Sequence, residues 1–237
     1  SLVVTLEALK EMHLTPEDIQ LIQNDTKTCP DTGMAGASRS LYMDGNATII
    51  AANKLLAAMR KEDGTLRTYD EMKAEGIETK YLGRYETNTT PGLCRLDPNT
   101  GIGDPTPAFT YCLNLAEVEV DTKTGKTTVL KFTCVDFVGR IGNIDAVNGQ
   151  AYSGIMHGIG FALKEDYADV KKHANMFGAG TSYIKDVPDD INLIHIDGAI
   201  SDGPFGSSGA SEAFQASGHC AVLNGIYNAC GVRIHEI

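Results

Sequence analysis

The sequence predicts an α+β fold in which helices pack on mixed or antiparallel sheets. Long segments carry apolar residues at helical spacing, and two β-rich runs are joined by a short polar segment, which is typical of a hairpin. Hydrophobic residues make up 42% of the 237 residues, enough for a substantial core. Because helices are mixed with an antiparallel hairpin, α+β is favoured over α/β. We expect one large domain or two lobes, about 1–108 and 109–237.

The first half of the chain is predicted to be mainly helical. Apolar spacing predicts a helix over residues 2–13, and Ile19–Ile22 is predicted as a short strand. A loop rich in Gly, Ser, Thr and Asp then leads into a long helix over Leu41–Met59. The polar segment 61–108 is predicted as a surface excursion with a short helix near Tyr69–Ala74.

The strand signals lie in the second half. Phe109–Val120 and Thr127–Phe137 predict a hairpin, and Ile191–Ile196 predicts a further strand. A helix is predicted over Asp145–Leu163, in which four glycines indicate a close approach of backbone. The last helix, Ala213–Cys230, is predicted to end at Gly231, a typical C-cap.

Composition excludes several classes of partner. The net charge of −11 argues against nucleic acid, which requires a concentrated basic patch. No apolar run approaches the length of a membrane helix and no secretory signal is visible, so we expect a cytoplasmic protein without membrane contact.

None of the six cysteines forms a C-x-x-C pair, and their spacing fits neither zinc nor iron–sulfur sites, so we expect buried, reduced thiols. The chain lacks an initiator Met, and we expect a fragment or a processed piece.

Two glycine- and hydroxyl-rich loops each open into a helix. Such helix starts offer backbone N–H groups and partial positive charge to a phosphate. In the first loop, Ser38 and Ser40 would add hydroxyl donors and Arg39 a charged fork. The alternative is an ordinary N-cap with a flexible lead-in, which the pattern alone favours because caps are far commoner than anion sites.

Three polar residues elsewhere could carry chemistry. Glu212 ends the second loop and is either a general base at the rim of a cavity or a first-turn residue that compensates the helix dipole. Gln150, among the clustered glycines, either reads a ligand edge or is an exposed polar side chain. His157 alone is typical of a satisfied core or surface histidine. In each case the pattern alone favours the simpler interpretation. A serine hydrolase is disfavoured because no G-x-S-x-G motif stands in the second loop.

Three segments stand in an order that resembles the large-subunit motifs of the molybdenum hydroxylases, the xanthine oxidase family. They are Pro30–Ser40, Asp145–Gly160 and Asp202–Glu212. The connecting segments, such as 164–173, 177–188 and 228–234, are similar to those of the bacterial aldehyde oxidoreductases of that family. The resemblance runs from near residue 1 to the last residue.

The resemblance implies an active site built on molybdenum, held by the dithiolene of a pterin and by no protein side chain. The glutamate matching Glu212 takes the proton from a metal-bound hydroxide, whose oxygen attacks the aldehyde carbonyl carbon. Hydride passes to a sulfido ligand, and the carboxylic acid is released. A metal lowers the pKa of its bound water, so a modest base suffices, and burial near the cofactor would raise the pKa of Glu212 toward the working range.

The resemblance also implies which residues hold the cofactor. The expected set is Gly36, Ala37, Ser38, Arg39, Ser40, Gln150 and Ser211. Relatives often carry Gly-Gly-Ser in the first motif and a Gln near the metal, where this chain has Ala37 and His157, which places the contact at Arg39 in doubt. For a bacterial relative of this kind, the cofactor is expected in its cytosine dinucleotide form.

Parts of the family's large subunit have no counterpart in this chain, including further cofactor loops, the substrate wall and the cysteine motifs for two [2Fe–2S] clusters. We therefore expect the C-terminal part of the molybdopterin-binding region, inactive alone. Its expected partners are the remainder of the large subunit, an iron–sulfur domain or subunit, a small aldehyde and a second copy in a homodimer. The alternatives are a purine or other N-heterocycle hydroxylase of the same family, and a non-catalytic cofactor-holding or assembly fragment.

Overall fold

The computed structural model describes residues 2–23, 25–87, 96–103 and 106–236. They divide into two compact units. The first comprises Ser1–Phe109 with Ala199–Ser208, and the second comprises Thr110–Gly198 with Gly209–Ile237. The short segment 199–208 therefore belongs to the first unit although its flanking residues belong to the second. Part of the predicted surface excursion (88–95 and 104–105) and Cys94 lie outside the described residues.

The first unit is helical over its described residues. Helix α1 spans Leu2–Ala8, α2 spans Ser40–Met59 and α3 spans Tyr69–Ala74. A small core of Leu9, Ala52 and Leu56 forms where α1 packs on α2. The periodic pattern predicted α2 within one residue and α3 at its observed bounds. Helix α3 begins with a capping box in which Thr68 and Glu71 satisfy each other's backbone N–H groups, which explains why so short a segment is helical.

Two predictions for the N-terminal segment were wrong. The helix predicted over residues 2–13 ends at Ala8 and continues as a single 3₁₀ turn, closed by His13 with a left-handed φ of 53°. Ile19–Ile22 is not a strand, and the side chains of Leu21 and Ile22 are 45% and 57% exposed. A strand requires a neighbour to pair with, and every strand among the described residues lies in the second unit.

The second unit contains a three-stranded sheet covered on one face by helices. Strands β1 (Tyr111–Val120) and β2 (Thr127–Phe137) form the predicted antiparallel hairpin, and β3 (Asp190–His195) pairs with β2 in parallel. The sheet is therefore mixed, as the α+β prediction allowed. Inward residues alternate along each strand, and those of β2 include Phe132, Cys134 and Asp136.

Three helices cover this face of the sheet. They are α4 (Ile144–Leu163), α5 (Ser211–Ala216) and α6 (Gly218–Cys230). Their inward side chains complete a core whose largest fully buried members are Phe132, Phe214, Ile155, Ile159 and Val222. Burying side chains of this kind contributes about 1.5–3 kcal/mol each relative to exposure. Gly231 closes α6 with a φ of 72°, as predicted.

The last helix was predicted as one piece, but it is broken at Ser217. The backbone of Ser217 leaves the helical region (φ −118°, ψ 2°), and its hydroxyl accepts a hydrogen bond from Asn114 Nδ2 at 2.9 Å. The next residue, Gly218, lies against Gly158 of α4 so closely that an added Cβ would be 3.1 Å from the Gly158 Cα. The break therefore results from tertiary packing, which a periodic pattern does not encode.

The described cysteines are free thiols, but the expectation that they are buried is correct only for Cys134. Cys220 is exposed, and Cys29, Cys112 and Cys230 are partly exposed. Cys112 and Cys134 lie on adjacent strands with their sulfur atoms 3.4 Å apart.

No helix in the described ranges has the length and apolar character needed to cross a bilayer.

The glycines of α4 allow α5 to pack against its backbone. At Gly154 an added Cβ would lie 2.5 Å from the Phe214 Cβ and 2.8 Å from its carbonyl carbon. At Gly149, earlier in the same helix, the corresponding space is open to at least 4 Å. Glycine at 154 is therefore required by packing, whereas glycine at 149 is not.

We expect Gly154→Ala to lower the free energy of unfolding by about 1–3 kcal/mol, because overpacking outweighs the better helix propensity of alanine. Gly149→Ala is the matched control and should raise it by about 0.5–1 kcal/mol. Urea denaturation of the chain, followed by circular dichroism, measures both. A stable Gly154→Ala protein would contradict the close helix contact.

Candidate functional site

The first predicted cofactor loop ends in a tight, strained turn. The carbonyl of Gly36 accepts a hydrogen bond from the Arg39 N–H at 3.2 Å, and Ala37 and Ser38 between them both have a φ of 52°. Two central residues with positive φ are the mark of a type I′ turn, which normally uses Gly or Asn. For Ala and Ser the left-handed region costs about 1–2 kcal/mol each. Strain of this kind is concentrated at functional sites.

Helix α2 begins directly after this turn, and its N-terminus is not capped by a side chain. Arg39 holds the capping position and makes no side-chain cap hydrogen bond. The first N–H groups of an α-helix have no acceptor within the helix. Arg39 therefore does not act as an ordinary side-chain N-cap at this helix start. The loop itself is largely exposed, with Ser38 and Arg39 half-buried and Ser40 exposed.

The second glycine-rich loop is anchored to the same helix within the first unit. Tyr42 of α2 is only 2% exposed, and its hydroxyl donates a short hydrogen bond to the carboxylate of Asp202. Burial, together with the bond to Asp202, raises the pKa of the Tyr42 phenol, so Tyr42 remains a neutral donor. A Cβ added at Gly45 would lie 2.4 Å from Pro204 Cγ, so helix and loop touch with no space between them.

Internal hydrogen bonds make this second loop rigid. The Ser201 hydroxyl donates to the Ser207 carbonyl at 2.7 Å, and the Ser207 hydroxyl donates to the Pro204 carbonyl at 2.5 Å. Ser207 and Ser208 are buried, and Phe205 and Gly206 both have positive φ. These bonds hold the loop in one conformation within the first unit.

In the second unit, α4 and α5 carry the remaining predicted site residues. Gln150 is exposed on α4, one helical turn before Gly154, and Glu212 lies in the first turn of α5, two residues before Phe214. Because Gly154 contacts Phe214, Gln150 and Glu212 stand on two helices in direct backbone contact. Ser211, the first residue of α5, is half-buried.

The expected burial of Glu212 is not found within this chain, where its side chain is exposed. Its position at a helix start satisfies the dipole-compensating alternative as well as the catalytic one.

The predicted site residues thus fall into two groups. Gly36–Ser40 belong to the first unit, and Gln150, Ser211 and Glu212 belong to the second. His157 is exposed on α4, with its ring 6.5 Å from that of Phe161. Within the part of the chain that the structure describes, no three His, Cys, Asp or Glu side chains are grouped as a metal site.

Two polar contacts were missed by the sequence reasoning. One is the pair Tyr42–Asp202, and the other is a buried contact between Asp136 and His195. Asp136 stands in phase with Phe132 and Cys134 along β2, so strand alternation would have placed a carboxylate in the core. Nothing in the sequence indicates the pairing of Tyr42 with a residue 160 positions away.

Comparisons with known proteins identify the family. A molybdopterin cofactor-binding domain model matches residues 2–188. The aldehyde oxidoreductase of Megalodesulfovibrio gigas is 42% identical over 231 residues, covering 98% of this chain and 25% of the relative. The crystal structure of aldehyde oxidoreductase from Desulfovibrio gigas superposes with a TM-score of 0.92 at 40% identity, covering 100% of this chain and 26% of that chain. The probable hypoxanthine oxidase XdhD of Escherichia coli K12 is 28% identical, covering 99% of this chain and 26% of the relative.

The chain belongs to the molybdopterin cofactor-binding domain family, within the molybdenum hydroxylases of the xanthine oxidase type. Its fold is that of the aldehyde oxidoreductase cofactor domain. It spans about a quarter of the length of the curated relatives that it matches. The resemblance drawn from the three motifs is thereby confirmed.

The strained turn provides a test of the loop geometry. We expect Ala37→Gly to raise the free energy of unfolding by about 0.5–1 kcal/mol, because relief of the left-handed strain exceeds the added entropy of the unfolded chain. Ala35→Gly, in the same exposed loop but without positive φ, should lower it by about 0.4–1 kcal/mol. Equal losses in both variants, measured by urea denaturation, would show that residue 37 is not held in the left-handed region.

Proposed function

We propose that this chain is part of a molybdenum-dependent oxidoreductase that converts aldehydes to carboxylic acids, with Glu212 as its general base. The observation that carries the proposal is the position of Glu212, at the start of a helix packed on the helix that bears Gln150. The 42% identity to an aldehyde oxidoreductase supports the substrate class. Because this chain covers a quarter of that relative, the activity is proposed for a longer polypeptide.

The described residues fit an anionic, hydrogen-bonding cofactor. The start of α2 has no side-chain cap, and the turn before it is exposed and strained. Its backbone N–H groups, with the hydroxyl and guanidinium donors beside them, suit phosphate oxygens. Gln150 is an exposed amide that offers both a donor and an acceptor to a pterin edge. The proposed contacts are Gly36, Ala37, Ser38, Arg39, Ser40, Gln150 and Ser211, with the cofactor in its cytosine dinucleotide form.

The proposed role of Glu212 is to accept a proton as the aldehyde is oxidised. When bound, the molybdenum cofactor supplies the oxygen that is added to the aldehyde and takes up two electrons. The contact between Gly154 and Phe214 fixes the backbone of α5, which carries Glu212 in its first turn.

The proposed assembly supplies what the chain itself lacks. We propose as partners the remainder of the large subunit, an iron–sulfur domain or subunit with [2Fe–2S] clusters, and a second copy in a cytoplasmic homodimer.

A second candidate function is hydroxylation of a purine or another N-heterocycle, favoured by the similarity to a probable hypoxanthine oxidase. Turnover of a panel of aldehydes and purines by the complete enzyme separates the two.

We expect Glu212→Gln in the complete oxidoreductase to lower kcat by about 10²–10⁴-fold, the usual contribution of a general base. Molybdenum content should remain normal, because glutamine retains the size and the position of the side chain. Glu119→Gln, at an exposed position on β1, is the matched control and should leave kcat unchanged. Activity retained by Glu212→Gln would rule out the proposed base.

The isolated 237-residue chain should purify without stoichiometric molybdenum, because it covers only 25% of the aldehyde oxidoreductase relative and the resemblance implies further cofactor loops outside it. Metal analysis by plasma mass spectrometry, after expression in a host that makes the cofactor, measures this directly. About one molybdenum per chain would instead support the cofactor-holding module as the chain's own function.

A further inference from the structure

A buried polar network joins the sheet of the second unit to helix α4. Asp136 on β2 is 1% exposed, and its Oδ2 lies 2.6 Å from Nδ1 of His195 on β3. The other ring nitrogen, Nε2, lies 2.7 Å from Oδ1 of Asn148 on α4. The imidazole thus bridges a strand carboxylate to a helix amide within one unit.

The buried carboxylate of Asp136 is stabilised by its contact with His195. Burial raises the pKa of Asp136, and the neighbouring His195 acts in the opposite direction. The second oxygen, Oδ1, is buried and has no hydrogen-bond partner in the described part of the chain. His195 is therefore the residue that compensates the buried charge, and removing it would leave an uncompensated carboxylate.

The bridge fixes the protonation of the imidazole. Next to a carboxylate, Nδ1 carries the proton and donates it. Nε2 lies 2.7 Å from Oδ1 of Asn148, and because an amide oxygen only accepts, the ring donates a second N–H to it. The ring thus holds Asn148 by a hydrogen bond.

Asn148 lies in the part of α4 where apolar packing is weakest. The inward residues of its first turns are the small side chains of Val147 and Ala151, whereas Ile155 and Ile159 anchor the later turns. Residues two apart on a helix project to nearly opposite sides, so Asn148 faces the sheet while Gln150 is exposed. Holding Asn148 therefore sets the direction in which Gln150 points.

We propose that His195 is a positioning residue, which locks the first turns of α4 through Asn148 and so holds Gln150 in place for the cofactor. This inference rests on the proposed function of Gln150. No part of it requires His195 to contact substrate or cofactor.

The locking is tested on the 237-residue chain by amide hydrogen exchange and by NMR of the imidazole. Asn148→Leu removes the hydrogen bond to the imidazole and should speed hydrogen exchange of the amides at 148–152 by about tenfold. The exchange rates of the amides at 155–163 should not change. Asn148→Asp keeps an oxygen facing Nε2 and should restore wild-type exchange. Wild-type His195 should show a hydrogen-bonded, slowly exchanging Nδ1 proton. Unchanged exchange in Asn148→Leu, or failure of Asn148→Asp to restore it, would overturn the locking.

Cofactor content of the complete oxidoreductase tests the consequence. Asn148→Leu and Gln150→Ala should both lower molybdenum and pterin per chain, and Asn148→Asp should not. If Gln150→Ala lowers the content and Asn148→Leu leaves it normal, the positioning role is wrong although the proposed function survives. If Gln150→Ala itself leaves the content normal, the proposed contact fails and the inference fails with it.

Discussion

The contact on which the second unit depends is the backbone-level packing of α5 and α6 against α4. It is possible only because Gly154, Gly158 and Gly218 have no side chains. Each glycine in a helix costs about 1 kcal/mol relative to alanine, so these glycines lower the intrinsic stability of the helices. In return they let the helices pack closely, which brings α4 with Gln150 next to α5 with Glu212. A pattern that looks unfavourable for a helix is therefore the condition for bringing two proposed functional positions onto adjoining helices.

A second constraint acts in the first unit, where one helix serves both glycine-rich loops. Helix α2 begins at Ser40, directly after the strained turn of the first loop, and Tyr42 and Gly45 of the same helix hold the second loop against it. The hydrogen bond to Asp202 is charge-assisted and shielded from water at the tyrosine end, which makes it stronger than an exposed one.

The elements that the sequence predicts well are those decided locally. The hairpin of β1 and β2, α2 and α4 follow from periodicity, turn chemistry and length, and each was predicted within two residues. The failures share one cause, which is dependence on distant partners. Ile19–Ile22 has strand-like residues but no strand beside it, and the break at Ser217 is imposed by Asn114 and Gly158. The parallel pairing of β3 with β2 likewise joins residues far apart in sequence.

The proposed site shows the same contrast between what local sequence decides and what distant partners decide. Motif order supports Glu212, Gln150 and the turn at Gly36–Ser40 together as predicted site residues, although each pattern alone favours a simpler interpretation. Their environment was not predictable: Glu212 is exposed in this chain, and the hydrogen bonds of Tyr42 and His195 span 160 and 59 positions. Local patterns thus identify which residue types are available, and only the fold shows what each one touches.

The division of the chain between its two units has a consequence for biosynthesis. Segment 199–208 completes the first unit, yet it follows nearly the whole of the second along the chain. A ribosome releases the polypeptide from its N-terminus onward, so α2 emerges long before the loop that covers Tyr42 and Gly45. Until that loop arrives, the face of α2 that receives it stays uncovered. The first unit therefore cannot be completed until synthesis has passed residue 208, and a nascent chain halted before residue 199 would present this uncovered face of α2 to chaperones.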